Sequence, residues 1–164
     1  MIKMKSFILI MLLLSGSGVY AADNLLSAAY TIKSDTQVLL PNGDVQAFGD
    51  VLITSGEMAI QAEEAVFHRN DPANLFITAS GDPIKYKGVL EDGRPFTGHS
   101  LKLKYVIKSG DVNLINKAFI KLQNSSLSAS VITYNIKTKE MEALSSDSRI
   151  VAATLYPSEL SAKK

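Results

Sequence analysis

Side chains able to do acid–base, nucleophilic or metal chemistry are few in this sequence. It has two histidines, His68 and His99, and no cysteine. Neither histidine falls in an HxxxH or HExxH spacing, so no zinc-type ligand pair is expected. His68 has Glu63, Glu64 and Asp71 near it, but in an outward phase, and both histidines read as surface or turn residues. Adjacent Glu63 and Glu64 point to opposite faces of an extended chain and make a poor glycosidase pair. There is no GxSxG, no P-loop and no GxGxxG. Without cysteine there is no thiol catalysis, no Cys-type zinc site and no iron–sulfur cluster. The expectation is a chain with no catalytic residues, no metal and no cofactor, and not an enzyme.

The remaining chemistry is apolar, and it lies on strands. Leu101-Lys102-Leu103-Lys104-Tyr105 and Ile132-Thr133-Tyr134-Asn135-Ile136-Lys137 alternate apolar with polar, and Ala118 to Leu122 does so loosely. Val, Ile, Thr, Tyr and Phe fill these runs, as in strands with one dry and one wet face. Turn signals separate them at Pro41-Asn42-Gly43-Asp44, Asn70-Asp71-Pro72, Ser80-Gly81-Asp82-Pro83, Glu91-Asp92-Gly93 and Ser109-Gly110-Asp111. Short, even spacing predicts an all-β sandwich, jelly roll or barrel. Ala59 to Val66 has the composition for one helical turn but fits a strand better.

An internal repeat sharpens this reading. The pattern apolar-x-small-x-x-apolar-x-apolar fits Ile60, Ala62, Ala65 and Phe67. It also fits Phe96, Gly98, Leu101 and Leu103, and again Leu127, Ala129, Ile132 and Tyr134. The first and third copies extend at a constant offset of 67, pairing Val45 with Val112, Ala47 with Leu114, Val51 with Ala118 and Ile53 with Ile120. Gly49-Asp50 then falls on Asn116-Lys117, and both pairs suit tight turns. A spacing of three where a strand needs two is the count of a bulge or corner. A small side chain there allows a close backbone approach. Repeated, the device winds a chain around a continuous apolar interior.

The first 21 residues read as a signal peptide to be cleaved: Lys3 and Lys5, then eight apolar residues from Phe7 to Leu14, then Val19-Tyr20-Ala21. The run is far shorter than the roughly 20 residues a membrane span needs. Residues 22–160 are expected to form one domain, with 161–164 a short flexible tail. Removing Lys3 and Lys5 leaves 15 basic against 16 acidic side chains, so the basic signature of a nucleic-acid binder is missing. The charge is uneven: residues 22–84 hold two basic and nine acidic groups, and residues 85–121 hold eight and three. Such asymmetry suits head-to-tail attraction between copies, or it is ordinary solvated surface.

The stretch Val45 to Arg69, VxAxGDVxIT followed by IQAEEAVFHR, resembles the OstA-like family of lipopolysaccharide-transport proteins. Glu91-Asp92-Gly93-Arg94-Pro95-Phe96-Thr97-Gly98-His99 and the run from Ile132-Thr133-Tyr134 through Lys139-Glu140-Met141-Glu142-Ala143 are similar to segments of its periplasmic member. Ile32-Lys33-Ser34-Asp35 and Pro157-Ser158-Glu159-Leu160 match as well, so the likeness spans about Tyr30 to Leu160. It implies a slightly twisted antiparallel β-jelly roll with an open apolar groove, located in the periplasm. It implies lipopolysaccharide as ligand and end-to-end assembly of copies through edge strands. It also implies two further partners: an inner-membrane-anchored protein of the same fold, and the N-terminal domain of an outer-membrane barrel protein. Where the family has Gly at the second repeat turn this chain has Asn116, which tolerates the same left-handed geometry.

By matching, the family's ligand contacts fall on Tyr30, Ile32, Tyr86, Tyr105 and Ile107. Tyr30 and Tyr86 stand where more plainly apolar residues are usual. Phe96, Leu103, Leu114, Ile132 and Tyr134 join them as inward positions expected to meet acyl chains. The full inward set adds Val51, Ile53, Ile60, Phe67, Ile77, Ile120, Leu122, Leu127 and Met141, most of which form core only. Tyr86 and Tyr105 are expected at a groove rim with wet hydroxyls. Lys85, Lys87, Lys102 and Lys104, on the other phase, either meet lipid phosphates or form a solvated face. The edge strands are expected at Ala29-Tyr30-Thr31-Ile32 and Ala152 to Tyr156, the last stopped by Pro157. Two other readings stay open: a monomeric periplasmic carrier of another lipid, and a structural fibre subunit that binds nothing apolar.

Overall fold

The computed structural model describes residues 29–90, 93–146 and 150–156. The expected signal peptide, the ends of the 22–160 domain and the 161–164 tail lie outside them. Ten strands form one antiparallel sheet: β1 (Thr31–Lys33), β2 (Thr36–Leu39), β3 (Val45–Ser55), β4 (Met58–His68), β5 (Phe76–Val89), β6 (Pro95–Val106), β7 (Asp111–Leu122), β8 (Ser125–Asn135), β9 (Met141–Leu144) and β10 (Ala152–Thr154). Strands β3 to β8 follow one another as a meander. Both β1 and β2 pair with β3, and both β9 and β10 pair with β8, so among the described residues the sheet is open at two edges.

Every long strand is interrupted at the same level. Register shifts fall between Phe48 and Val51, Gln61 and Glu64, Ser80 and Ile84, His99 and Lys102, and Ile115 and Ala118. On the first edge the Asp35 amide donates to the Gly49 carbonyl (3.0 Å), where β1 gives way to β2. The bulges therefore line up as one crease across the sheet, and each extra residue bends its strand there. Gly49, Asp50, Asn116 and Lys117 all take left-handed backbone, with φ of 71°, 42°, 64° and 51°. The offset of 67 is thus structural, but these pairs are bulges inside β3 and β7 rather than turns between strands. Likewise Gly81-Asp82-Pro83 lies within β5, with a cis Asp82–Pro83 bond, and does not end a strand.

The crease divides the sheet into two leaves. In the first, Ile32, Ile53, Ile60, Tyr86, Gly98, Ile120 and Leu127 form one cross-strand row. In the second, Ala47, Ala65, Ala79, Leu103, Leu114, Ile132 and Ala143 form another. The repeat copy at Phe96 is therefore displaced by two residues: Gly98, not Phe96, stands level with Ile60 and Leu127, and Leu103, not Leu101, with Ala65 and Ile132. The leaves face each other. Tyr30, at the far edge of the first leaf, contacts Tyr105 of the second, with ring centroids 6.2 Å apart. Four strand steps separate β1 from β6, so in a flat sheet they would lie roughly 19 Å apart. Folding one leaf onto the other, with the sheet curled, brings them together and dries the faces between them.

Candidate functional site

The interior between the leaves is apolar. Its fully buried residues include Ile53, Ile84, Leu103, Leu114 and Ile132, with Ile32, Phe67, Phe96, Ile107 and Val112 packed against them. Of the ten predicted contact residues, Tyr86, Leu103, Tyr105, Leu114 and Ile132 are buried. Tyr30, Ile32, Phe96 and Ile107 are half-buried against the same cluster. Tyr134 is half-buried on the same face, in the row of Phe67, Ile77, Tyr105 and Val112. All ten are thus on one continuous inner surface.

Two expectations about this surface are corrected. Tyr86 and Tyr105 are 7% and 6% exposed, so neither hydroxyl is wet. Tyr86 crosses over Gly98, where a Cβ would collide with its ring and with the Phe119 carbonyl. Its hydroxyl lies 2.9 Å from the carbonyl oxygens of both His99 and Phe119, beside the bulge of β6 against β7. One O–H is thereby shared between two backbone carbonyls beside the bulge, and the Ser100 side chain hydrogen-bonds the same hydroxyl. Burial is the main force raising the Tyr86 phenol above its ordinary value. The Tyr105 and Tyr30 hydroxyls share a hydrogen bond at 3.2 Å. The Tyr105 pKa is raised too, first by burial and then by Tyr30. The second correction is Met141, which is in phase with Tyr134 but 47% exposed because β9 is an edge strand.

The polar residues also differ from the sequence reading. His68 is not isolated. Its Nδ1 lies 3.0 Å from Asp44, its Nε2 lies 3.1 Å from the Thr78 hydroxyl, and its ring stacks on Phe76. Asp44 is buried and accepts from the Arg69 and Asn70 amides and from Asn42. The Arg69 amide is the largest cause holding its carboxyl below the ordinary carboxylate range. This cluster clamps the turn before β3 to the end of β4 and to β5. His99 stacks on Phe119 at 5.1 Å on the outer face. Lys85, Lys87, Lys102 and Lys104 are exposed, and Lys104 sits 4.8 Å over the Phe76 ring. Among the described residues no three His, Cys, Asp or Glu side chains gather to hold a metal.

An open antiparallel sheet, creased onto an apolar interior and, among the described residues, unpaired at both edges, defines an open β-jelly roll. The same fold occurs in the crystal structure of LptH, the LptA-homologous periplasmic component of the lipopolysaccharide transport device of Pseudomonas aeruginosa. The two superpose with a TM-score of 0.74 at 17% identity, over 82% of this chain and 99% of that one. The chain belongs to the LptA/LptD N-terminal domain family of lipopolysaccharide transport proteins, whose model matches residues 31–140. It is 29% identical to the lipopolysaccharide export system protein LptA of Haemophilus influenzae, over 100% of this chain and 98% of the relative. It is 30% identical to LptA of Escherichia coli K12, over 80% and 73%.

Proposed function

We propose that this chain is a periplasmic lipopolysaccharide carrier that assembles end to end and bridges an inner-membrane component to an outer-membrane one. The observation that carries this reading is an apolar row running from one free edge of the sheet to the other. It starts at Ile32 on β1, crosses Ile53, Ile60 and Tyr86, and reaches Leu127 beside Ala153 of β10. Acyl chains gain about 0.8 kcal/mol for each CH₂ buried, so such a surface binds them without hydrogen bonds. Edge strands with unpaired N–H and C=O groups accept a further strand. With β1 and β2 at one edge and β9 and β10 at the other, successive copies would continue one sheet and one interior. The ten inner-surface residues named above are the proposed acyl contacts, with the half-buried Tyr30, Ile32, Phe96, Ile107 and Tyr134 more accessible than the rest.

The test is native mass spectrometry of the exported chain over a concentration series, with and without purified lipopolysaccharide. The expected result is a ladder of oligomers that retain lipid. Ile32→Asp and Tyr105→Asp are expected to abolish retention, with circular dichroism checking that each variant keeps its sheet. Retention by folded forms of both would overturn the groove assignment. A strict monomer that still holds lipid would favour a soluble carrier over a bridge.

A further inference from the structure

The outer face of the first leaf carries a second feature. Two adjacent cross-strand rows, from Lys33 to Ala152 and from Thr31 to Thr154, run across it. They hold four lysines, Lys33, Lys85, Lys87 and Lys121, and not one carboxylate, although the chain as a whole has 16 acidic residues. All four lysines are exposed. Among the described residues none of these four lysines forms an ion pair. The corresponding rows of the second leaf carry Glu64 and Glu142 beside Lys102 and Lys104.

The face is also shaped. A concavity of about 590 Å³ opens between Leu52, Gln61, Lys85, Lys87, His99 and Phe119. Its floor is formed by Tyr86 and Gly98, whose side-chain positions face inward, away from it. The stacked His99 and Phe119 rings form one wall. Ammonium groups recognise phosphate as point charges, and aromatic rings with hydroxyls and amides beside them suit the faces and edges of a sugar. A purely apolar partner would desolvate the two lysines that line the concavity, Lys85 and Lys87, and an acidic protein strand has no edge to pair with in the middle of a sheet.

We infer that this outer-face concavity binds the phosphorylated saccharide of lipopolysaccharide, at a site separate from the apolar interior that holds the acyl chains. The inference rests on the functional reading above and adds a second point of contact for the same ligand. Charge complementarity selects the phosphorylated sugar over the rest of the molecule. The unpaired lysines supply the attraction, and His99 and Phe119 supply the platform.

The test uses fully deacylated lipopolysaccharide that keeps its phosphates, a probe with no chains to enter the interior. Titration into the isotopically labelled protein, followed by NMR, is expected to shift the amide signals of Lys85, Lys87, His99 and Phe119. Affinity is expected to fall with rising salt, as for exposed charges. Lys85→Gln/Lys87→Gln is expected to weaken binding by about tenfold or more, while Lys102→Gln/Lys104→Gln on the second leaf changes it less than about twofold. The same saccharide stripped of phosphate is expected not to bind. No binding of the phosphorylated probe, shifts confined to the inner face, or equal loss in both double variants would overturn the inference. None of these outcomes touches retention of intact lipopolysaccharide by the interior, which is read separately through Ile32→Asp.

Discussion

Replacing Tyr86 by Phe removes one hydroxyl and leaves the ring over Gly98. The change therefore removes that hydroxyl's contacts with the carbonyls of His99 and Phe119, both at 2.9 Å, together with its hydrogen bond to the Ser100 side chain. The ring is 7% exposed, so water does not replace the lost donor, and no cavity of consequence opens. A net hydrogen bond contributes about 1 kcal/mol, and leaving a buried acceptor unpaired costs about 1–3 kcal/mol. Tyr86→Phe is expected to lose about 1–3 kcal/mol, read as a lower urea midpoint at unchanged m. Tyr156→Phe, at an exposed position, is the control and should change stability by less than about 0.5 kcal/mol. The phenol adds a pH signature. Its pKa is raised in the fold, so its contribution is complete below the ordinary value of 10.0 and is lost as pH rises past it. The gap between wild type and Tyr86→Phe should therefore narrow above pH 10. A loss under about 0.5 kcal/mol at neutral pH, or a gap that stays constant in alkali, would refute the role given to this hydroxyl.

Asp44→Asn should destabilise the protein most near neutral pH. The carboxyl is held below its ordinary 3.8, so its contribution is present above that value and is lost as pH falls through the lower folded one. Urea midpoints at pH 7 and pH 3 should show the variant and wild type converging in acid. At the crease, Lys117 has a φ of 51°, and Lys117→Gly should raise the melting temperature by relieving about 1 kcal/mol of left-handed strain. Gly49→Ala should lower it, because φ is 71° there and a Cβ would strike the Asp35 carboxylate.

Alternation and spacing made much of this fold readable before any coordinates. The offset of 67 maps β3 and β4 onto β7 and β8 pair by pair, because a bulge forces the same spacing wherever it recurs. The copy around Phe96 slipped because strand periodicity is two, and a shift of two keeps every inward residue inward. Gly98 carries no hydrophobic signal, yet it fills the inward position that Phe96 was assigned. Ile84 was missed for a related reason: Gly81-Asp82-Pro83 has turn composition, and only the register shows it inside β5. The inward alanines 47, 65, 79, 118 and 129 are buried as deeply as the branched residues, but small side chains announce themselves weakly. The partnership of Asp44 with His68 and Thr78 joins three strands' worth of sequence and is invisible until they are laid side by side. Of the candidate site, the inner face was legible from apolar phase. The closure of the tyrosine hydroxyls was not, because phase says which way a ring points and nothing about what its tip will meet.

The crease has a mechanical consequence. Beside it the inner face is lined by Val51, Ala62, Ile84, Ser100, Ala118 and Ala129, four of them with short side chains. Bending stiffness is lowest where a sheet is interrupted in every strand at one level, so a change in angle between the leaves concentrates in the torsions of these few residues. The rows on either side keep their ladder pairing and are the stiffer parts of the sheet. An interior filled by its own side chains can then widen along its whole length by opening like the spine of a book, with the bonds between strands left intact.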